Sequence, residues 1–401
     1  MELNGGVKSG ADRLASAGAA LLKGKRFILL TNPTGIDSLF RSTIELCRGL
    51  EGAELAAFFA CEHGLRNERQ AGVKFEDETD PATGLPIFSL YGSRSRPAPY
   101  MLENIDAVVV DLQDVGVRFY TYLTTLVYVM EACAAQGVEV IVLDRPNPLG
   151  GNRIEGGFLK EGFQSMVGAW RMPAVTGMTI GEIARLVAGE MSTLCRLQVV
   201  PLAGWNRSME YGETGLPWMM PSPNIPSMDT VRVYPGTCLF EGTNVSEGRG
   251  TTRPFEIIGA PWIDGPELCG RMNGLGLPGV HFHPVTFTPT FKKYPGELCR
   301  GLMIFVTDQK VYKSAETGLR LLHGIASLYP ERFEWKFENG DGLPFIDILS
   351  GSDRVRQSLT EPGGIDAILT EWQRDAESWR ELRKPYLLYG ADGANGSGSH
   401  A

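Results

Sequence analysis

Four apolar runs of strand length, each followed directly by polar residues, constrain the fold of this chain more than any other feature. They are RFILL (26–30), ELAAFFA (54–60), IDAVVV (105–110) and VEVIVL (138–143). Continuous apolar runs are typical of strands that are buried on both faces, as in a parallel sheet. Helix-like apolar spacing at 41–50 and 120–136 separates these runs. The pattern therefore predicts a doubly wound, parallel-rich α/β sheet.

The rest of the chain has a different character and predicts a second unit. MTIGEIARLVAGEM (178–191) reads as a helix with a capping box from Thr179 to Glu182, and the proline-rich stretch 216–230 reads as a long ordered loop. Beyond residue 236, strand patterns at 281–291 and 301–308 alternate with amphipathic helix patterns at 317–329 and 364–389. We predict an N-terminal α/β domain over 1–235, a smaller α+β domain over 236–390 and a disordered tail over 391–401.

Composition narrows the possible partners and cofactors. The formal net charge of -9 leaves no basic excess for a nucleic-acid partner. No apolar run approaches the ~20 residues that cross a bilayer, so we expect no membrane insertion. The N-terminal stretch lacks signal-peptide features, so we expect a cytoplasmic protein, with a periplasmic or secreted one as the alternative if a leader was removed. The seven cysteines form no CxxC pair, which disfavours a zinc site. GLGLPG (274–279) neither follows a strand nor opens a helix, so we expect no dinucleotide and no other cofactor.

Polar residues at the strand ends indicate where a ligand would bind. In open parallel sheets, ligands bind outside the carboxyl ends of the strands. The four strands predicted above deliver polar side chains to that edge, namely Asn32, Glu62, His63, Asp111, Gln113, Asp114 and Asn147. Asp and Asn also start turns, so any one of them is equally explained as a turn former.

The stretch CEHGLR (61–66) places a carboxylate and an imidazole directly after a buried strand. Glu62 would point into a cleft with restricted mobility, which suits a general acid. His63 would bind substrate or orient a neighbouring group. The alternative from position alone is a glutamate that begins a helix beside a surface histidine.

Two further stretches combine amides, carboxylates, arginines and aromatic rings, which are the groups that proteins use to bind sugars. DLQDVGVRFYTYLTT (111–125) carries Arg118, Tyr120 and Tyr122, whose rings are equally suited to core packing. EGTNVSEGRGTT (241–252) carries Glu241, Asn244, Glu247, Arg249 and Thr251 between glycines that permit close approach of a ligand. A solvated turn is the alternative for the second stretch.

Colinear motifs along the chain carry a resemblance to a known family. They are TNPTG (31–35), CEHGLR (61–66), TGLPIFSLYG (83–92), DLQDVGVRFYTYL (111–123), LDRPNPLGG (143–151), GMTIGEIA (177–184), PSPNIP (221–226), YPGTCLFEGTNVSEGRGTTRPFE (234–256) and FTPTFKKYPGELCRG (287–301). Over roughly residues 10 to 390 the chain resembles the NamZ-type exo-β-N-acetylmuramidases, glycoside hydrolase family 171, formerly a domain of unknown function.

The resemblance implies a Rossmann-like N-terminal domain, a smaller C-terminal domain and an active site in the cleft between them. It implies release of terminal N-acetylmuramic acid from the non-reducing end of peptidoglycan fragments, with Glu62 as the catalytic acid/base. The alternative is a non-catalytic protein that binds muropeptides on the same scaffold. The chain departs from the family pattern at Cys61, Asn67 and Thr176, where the family commonly has Pro, Gly and His.

The expected site residues follow from the strand ends, the polar stretches and the resemblance together. The catalytic candidates are Glu62, His63, Asp111 and Glu247. The expected substrate contacts are Asn32, Arg66, Gln113, Asp114, Arg118, Tyr120, Tyr122, Asn147, Asn224, Glu241, Asn244, Arg249 and Thr251. Glycosidases commonly pair an acid with a second group, which here is a carboxylate of Asp111, Asp114, Glu241 or Glu247, or the acetamido group of the substrate. For the lactyl carboxylate of muramic acid, we expect Arg118 or Arg249 to supply a positive charge. The sequence does not specify an oligomeric state.

Overall fold

The computed structural model describes residues 6–337 and 342–390. The tail predicted over 391–401 lies outside the described residues. Within the described residues, a seven-stranded sheet has the order β3-β4-β2-β1-β5-β6-β7. Its strands are β1 (Arg26–Thr31), β2 (Glu54–Ala60), β3 (Glu78–Thr79), β4 (Pro86–Ser89), β5 (Ala107–Asp111), β6 (Glu139–Leu143) and β7 (Leu197–Val200). β1, β2, β5 and β6 confirm the four predicted strands.

The pairing of these strands confirms a parallel-rich sheet. All neighbouring strands are parallel except β3 and β4, which are antiparallel. The chain runs outwards from β1 in both directions, to β2 on one side and to β5 on the other, so strand order reverses between β1 and β5. This reversal is the Rossmann-like switch point, where Thr31 pairs with Asp111.

Helices cover both faces of the sheet, as a doubly wound fold requires. They are α1 (Gly10–Leu22), α2 (Thr43–Arg48), α3 (Thr121–Gln136) and α4 (Ile180–Glu190). Because side chains alternate along a strand, Phe27 and Leu29 of β1 join the core beneath α1 and α2. Ile28 and Leu30 join the opposite core, to which α3 and α4 contribute.

Local sequence signals explain where these helices begin and end. The hydroxyl of Ser42 caps α2, which is shorter than the predicted helix at 41–50. Thr179 caps α4, and its capping box with Glu182 confirms the prediction. α3 begins at Thr121, one residue after the predicted start, and ends before Gly137, whose φ of 67° is left-handed.

The second unit contains a three-stranded antiparallel sheet in the order β8-β10-β9. The strands are β8 (Ile257–Ala260), β9 (Val280–Phe287) and β10 (Cys299–Val306), of which β9 and β10 confirm predicted strands. The helices are α5 (Met228–Thr237), α6 (Gly265–Gly274), α7 (Ser314–Leu328), α8 (Phe345–Ser350), α9 (Arg354–Ser358) and α10 (Gly364–Leu382). α5 runs across the boundary that we predicted after residue 235.

One hydrophobic core extends through both units and fixes them against each other. It includes Val110 of β5, Ile183 of α4, Leu268 of α6 and Leu319 of α7. α10 also returns to the first unit, where Trp379 donates its indole N–H to the carbonyl oxygen of Thr176 at 2.8 Å. Among the described residues, no helix is long and apolar enough to cross a membrane.

Candidate active site

A cavity of about 260 Å³ lies where the two units meet. Segments from both units line it, including 62–63, 71–72, 119–121, 165–167 and 224–225, together with Tyr91, Ser222, Tyr234, Cys238, Glu241, Arg249, Phe255, Lys292, Phe345, Ile348 and Leu349. The predicted site residues in this lining are Glu62, His63, Tyr120, Asn224, Glu241 and Arg249. The cavity therefore lies in a cleft between the two units, which is where the resemblance implied an active site.

Glu62 is held at the cavity wall by two donors from different segments. The backbone N–H of Gly72 donates to Oε1 at 2.9 Å, and the hydroxyl of Thr121 donates to Oε2 at 2.9 Å. The carboxyl group is buried yet borders the cavity. Tyr91 also lies beside it, and burial together with the charge of Glu62 raises the pKa of the Tyr91 phenol. Tyr91 therefore keeps its proton and remains a hydrogen-bond donor near the carboxylate.

His63 is oriented by an unusual backbone conformation. Its φ of 75° is left-handed, which non-glycine residues rarely adopt. The ring Nδ1 lies 2.9 Å from the carbonyl oxygen of Arg69. Since a carbonyl only accepts, Nδ1 carries the proton. Burial lowers the pKa of His63, and the positive charge of Arg249 lowers it further while Glu62 opposes this. The ring is therefore neutral at pH 7, and Nε2 is a hydrogen-bond acceptor.

Aromatic rings form an apolar wall of the cavity. Tyr120 packs against Tyr122 and Tyr234 with ring centroids 4.7 Å and 6.3 Å apart, and Tyr234 packs against Phe255 at 4.7 Å. The guanidinium of Arg249 lies 5.0 Å from the centroid of Phe255. These rings thus combine core packing with a surface on which the C–H face of a sugar can stack.

Charged side chains at the cavity wall and behind it form a chain of ion pairs. One guanidinium nitrogen of Arg249, Nη2, donates to both carboxylate oxygens of Glu241 at 3.0 Å. Nε of Arg249 lies 3.5 Å from Oε1 of Glu247, whose Oε2 accepts from Lys293 at 2.8 Å. Burial opposes the ionisation of Glu247, but Lys293 and Arg249 hold its pKa below the usual range. Glu247 is therefore a buried anion behind the cavity lining, whereas Glu241 faces the cavity.

The switch point of the sheet is filled by protein rather than open to a ligand. Asp111 is fully buried, and its carboxylate accepts from Arg145 at 2.5 Å and 2.9 Å and from the hydroxyl of Thr43. Asp144, after β6, accepts from the hydroxyl of Thr179 at 2.8 Å. The expectation that all four strand ends share one cleft is wrong, because only the segments that follow β2 and β5 reach the cavity.

The remaining predicted contacts lie outside the cavity lining, and most have protein partners. Arg66 pairs with Asp80, and Asp114 is fully buried and accepts from Gly116 N–H at 2.7 Å. Burial raises the pKa of Asp114 to about 6. Partners within the protein also occupy Asn32, Gln113, Tyr122, Asn147, Asn244 and Thr251. Arg118 is buried behind the turn 165–168 and donates to the carbonyl of Leu349 at 3.0 Å.

Several residues at the cavity escaped the sequence analysis. Tyr91 and Thr121 carry groups that contact Glu62, and both stand within motifs that carry the resemblance. Lys292 lies in another of those motifs, beside the buried Lys293. A side chain that follows a strand is easy to find in sequence, whereas these positions depend on how loops from both units fold over the sheet.

The three residues at which we expected departures from the family pattern lie in different surroundings. Asn67 has a left-handed φ of 57° and donates to the carbonyl of Met220 at 2.9 Å, so asparagine can replace a glycine there. Thr176 is fully buried and its carbonyl accepts from Trp379, away from the cavity. Cys61 is fully buried behind Glu62, and burial raises the pKa of its thiol.

All seven cysteines are free and buried. In the described part of the chain, no group of three or more metal-binding side chains is placed to hold an ion.

Comparison with known proteins places this architecture in a family. The family model "Exo-beta-N-acetylmuramidase NamZ, N-terminal" matches residues 27–229, and the corresponding C-terminal model matches residues 232–389. The chain belongs to the NamZ family. A curated relative, peptidoglycan beta-N-acetylmuramidase NamZ of Bacillus subtilis (strain 168), is 43% identical over 383 residues, which cover 96% of this chain and 91% of the relative.

Solved structures of the family share the fold. A DUF1343 family protein from Bacteroides fragilis NCTC 9343 superposes with a TM-score of 0.89 at 35% identity, covering 96% of this chain and all of the other. A second protein of that family from the same organism gives a TM-score of 0.75 at 32% identity, covering 96% and 99%. Both solved structures therefore share the overall fold of this chain.

Proposed function

We propose that this chain is an exo-acting glycoside hydrolase that releases terminal N-acetylmuramic acid from the non-reducing end of peptidoglycan fragments, a step in cell-wall recycling. The observation that carries the proposal is the carboxyl group of Glu62, which two donors hold at the wall of a cavity in a member of the NamZ family. A positioned carboxyl beside an aromatic wall suits proton transfer to a glycosidic oxygen.

The size of the cavity supports action at a chain end. Its volume of about 260 Å³ is below the range of ~300–1,000 Å³ that is typical of ligand pockets. Such a space suits a single sugar residue rather than several consecutive residues of a glycan. We therefore propose that the terminal muramic acid enters the cavity, while the rest of the fragment lies towards solvent as the leaving group.

The residues of the cavity suggest how the proton transfer proceeds. We assign Glu62 the role of donating a proton to the leaving glycosidic oxygen. Nε2 of the neutral His63 accepts a hydrogen bond from a sugar hydroxyl, and the phenol of Tyr91 donates close to the reacting group. Glu62 and Glu241 are the two carboxylates of the described residues that line the cavity. We therefore propose that the second group is Glu241 or the acetamido group of the substrate, rather than Asp111, Asp114 or Glu247.

A product assay tests this function directly. The protein is incubated with a disaccharide of N-acetylmuramic acid linked to N-acetylglucosamine, and free N-acetylmuramic acid is measured by chromatography. We expect stoichiometric release of both sugars by the wild type and none by a boiled sample. Binding of the disaccharide without release of either sugar would instead identify a muropeptide-binding protein on a hydrolase scaffold.

A further inference from the structure

Lys292 reaches the cavity from a backbone that is anchored by its neighbour. Lys293 is buried, and its ammonium donates to Phe240 O at 2.6 Å, Val245 O at 2.8 Å and Glu247 Oε2 at 2.8 Å. Lys292 has a left-handed φ of 69°, a conformation that costs energy for a residue with a long side chain. The anchored Lys293 and this backbone conformation place consecutive lysines in different surroundings, one in the core and the other at the cavity.

The ammonium group of Lys292 lies close to the proposed proton donor. A Cβ atom built at Gly72 would lie 3.9 Å from Nζ of Lys292. The N–H of the same Gly72 donates to Oε1 of Glu62 at 2.9 Å. The cation and the carboxyl group therefore both lie close to Gly72 at the wall of the same cavity.

The charged side chains of the cavity leave one positive charge uncompensated when Glu62 carries a proton. The formally charged side chains in the lining are Glu62, Glu241, Arg249 and Lys292, since His63 is neutral. Arg249 is bound to Glu241. Lys292 forms no ion pair with any residue that the structure describes. Once Glu62 holds the proton that it donates, the lining carries one uncompensated positive charge, which attracts an anionic group of the ligand.

We propose that Lys292 binds the lactyl carboxylate of N-acetylmuramic acid and so distinguishes this sugar from N-acetylglucosamine, which lacks that group. This inference rests on the proposed function, because it assigns recognition of the lactyl carboxylate to one residue. The two arginines that sequence suggested are less suited to the role. Arg249 is already neutralised by Glu241 and Glu247, and Arg118 is buried outside the cavity lining.

The test compares an anionic substrate with a neutral one of nearly the same shape. Kinetics are measured on 4-nitrophenyl β-N-acetylmuramide and on its lactyl methyl ester, for the wild type, Lys292→Asn, Lys292→Arg and the control Lys310→Asn, which changes an exposed surface lysine. Asparagine tolerates the left-handed backbone and removes the charge. Calorimetry with free N-acetylmuramic acid measures binding separately from turnover.

We expect Lys292→Asn to lose the preference for the acid over the ester, through a rise in KM of about tenfold or more on the acid, which corresponds to about 1.4 kcal/mol. Lys292→Arg and Lys310→Asn should keep the preference.

An unchanged preference and unchanged binding of N-acetylmuramic acid in Lys292→Asn would overturn the inference. A shifted pH profile on the ester would also overturn it, because Lys292 would then act through Glu62. Wild-type protein that binds the sugar but hydrolyses neither glycoside would refute the proposed function alone, and wild-type protein that does not bind the sugar would refute both.

Discussion

Replacing Glu62 by glutamine removes the proposed proton donor while conserving the shape of the site. The amide oxygen of Gln can accept from the N–H of Gly72, as Oε1 does at 2.9 Å. The amide nitrogen can donate to the hydroxyl of Thr121, which rotates from donor to acceptor across the present 2.9 Å contact. Glu62→Gln should therefore fold normally, and any loss of activity reports on the missing proton.

The size of that loss should depend on the leaving group. A general acid contributes about 10²–10⁴-fold to a rate, which corresponds to about 2.7–5.4 kcal/mol of activation free energy. A sugar leaving group needs the proton, whereas 2,4-dinitrophenolate leaves without one. We expect kcat for the muramic-acid-terminated disaccharide to fall by that factor, and kcat for the dinitrophenyl muramide to fall far less.

The assay compares both substrates across the wild type, Glu62→Gln and the control Glu51→Gln, which changes an exposed glutamate outside the cavity. Circular dichroism and thermal unfolding confirm that each variant is folded. Equal losses on the two substrates would refute the assignment of Glu62 as proton donor, because the missing group would then serve the sugar rather than its leaving group. Wild-type turnover of the disaccharide by Glu62→Gln would exclude any essential role.

Two further predictions concern groups that the fold buries. Arg145→Leu should destabilise the protein by roughly 3–5 kcal/mol, because it leaves the carboxylate of Asp111 buried without its cation; urea unfolding should show this, and Arg145→Leu combined with Asp111→Leu should recover most of the loss. Burial lowers the pKa of His63 in the folded state, so below the unfolded pKa of ~6.5 the unfolded chain binds a proton there that the folded chain does not. The free energy of unfolding should therefore fall as the pH drops from 7 towards 5. His63→Asn should reduce the slope of this free energy against pH by up to about 1.4 kcal/mol per pH unit. An unchanged slope would contradict the assigned burial of a neutral ring.

The sequence predicted the elements of the fold well because their signals are local. Apolar runs such as 54–60 and the capping box of Thr179 and Glu182 are determined by a few adjacent residues. The parallel pairing of these strands follows from the alternation of strands and helices along the chain. Strand β7 and the pairing of β3 with β4 were not predicted, because short strands with few apolar residues carry weak periodicity.

The residues of the candidate site also fall into two groups, those that the sequence identified and those whose surroundings only the tertiary structure shows. The position of Glu62 after β2, and its link to a family of glycosidases, were accessible from sequence. The sequence analysis also placed Asp111 and Glu247 among the candidates. The sequence pattern around a carboxylate is the same whether that carboxylate faces a ligand or pairs with a cation of the protein. The tertiary structure separates these cases, because it pairs Asp111 with Arg145 and Glu247 with Lys293 across long stretches of chain.

The sequence by itself thus determined the doubly wound sheet, the second unit and the segment that carries the proposed proton donor. Only the tertiary structure decided which charges face the cavity and which are neutralised behind it. The physical reason is that hydrogen bonding and burial within a helix or strand depend on neighbours in the chain, whereas the environment of a charge depends on every segment that packs around it. Lys292 and Lys293 illustrate this, because adjacent and identical side chains occupy the cavity and the core.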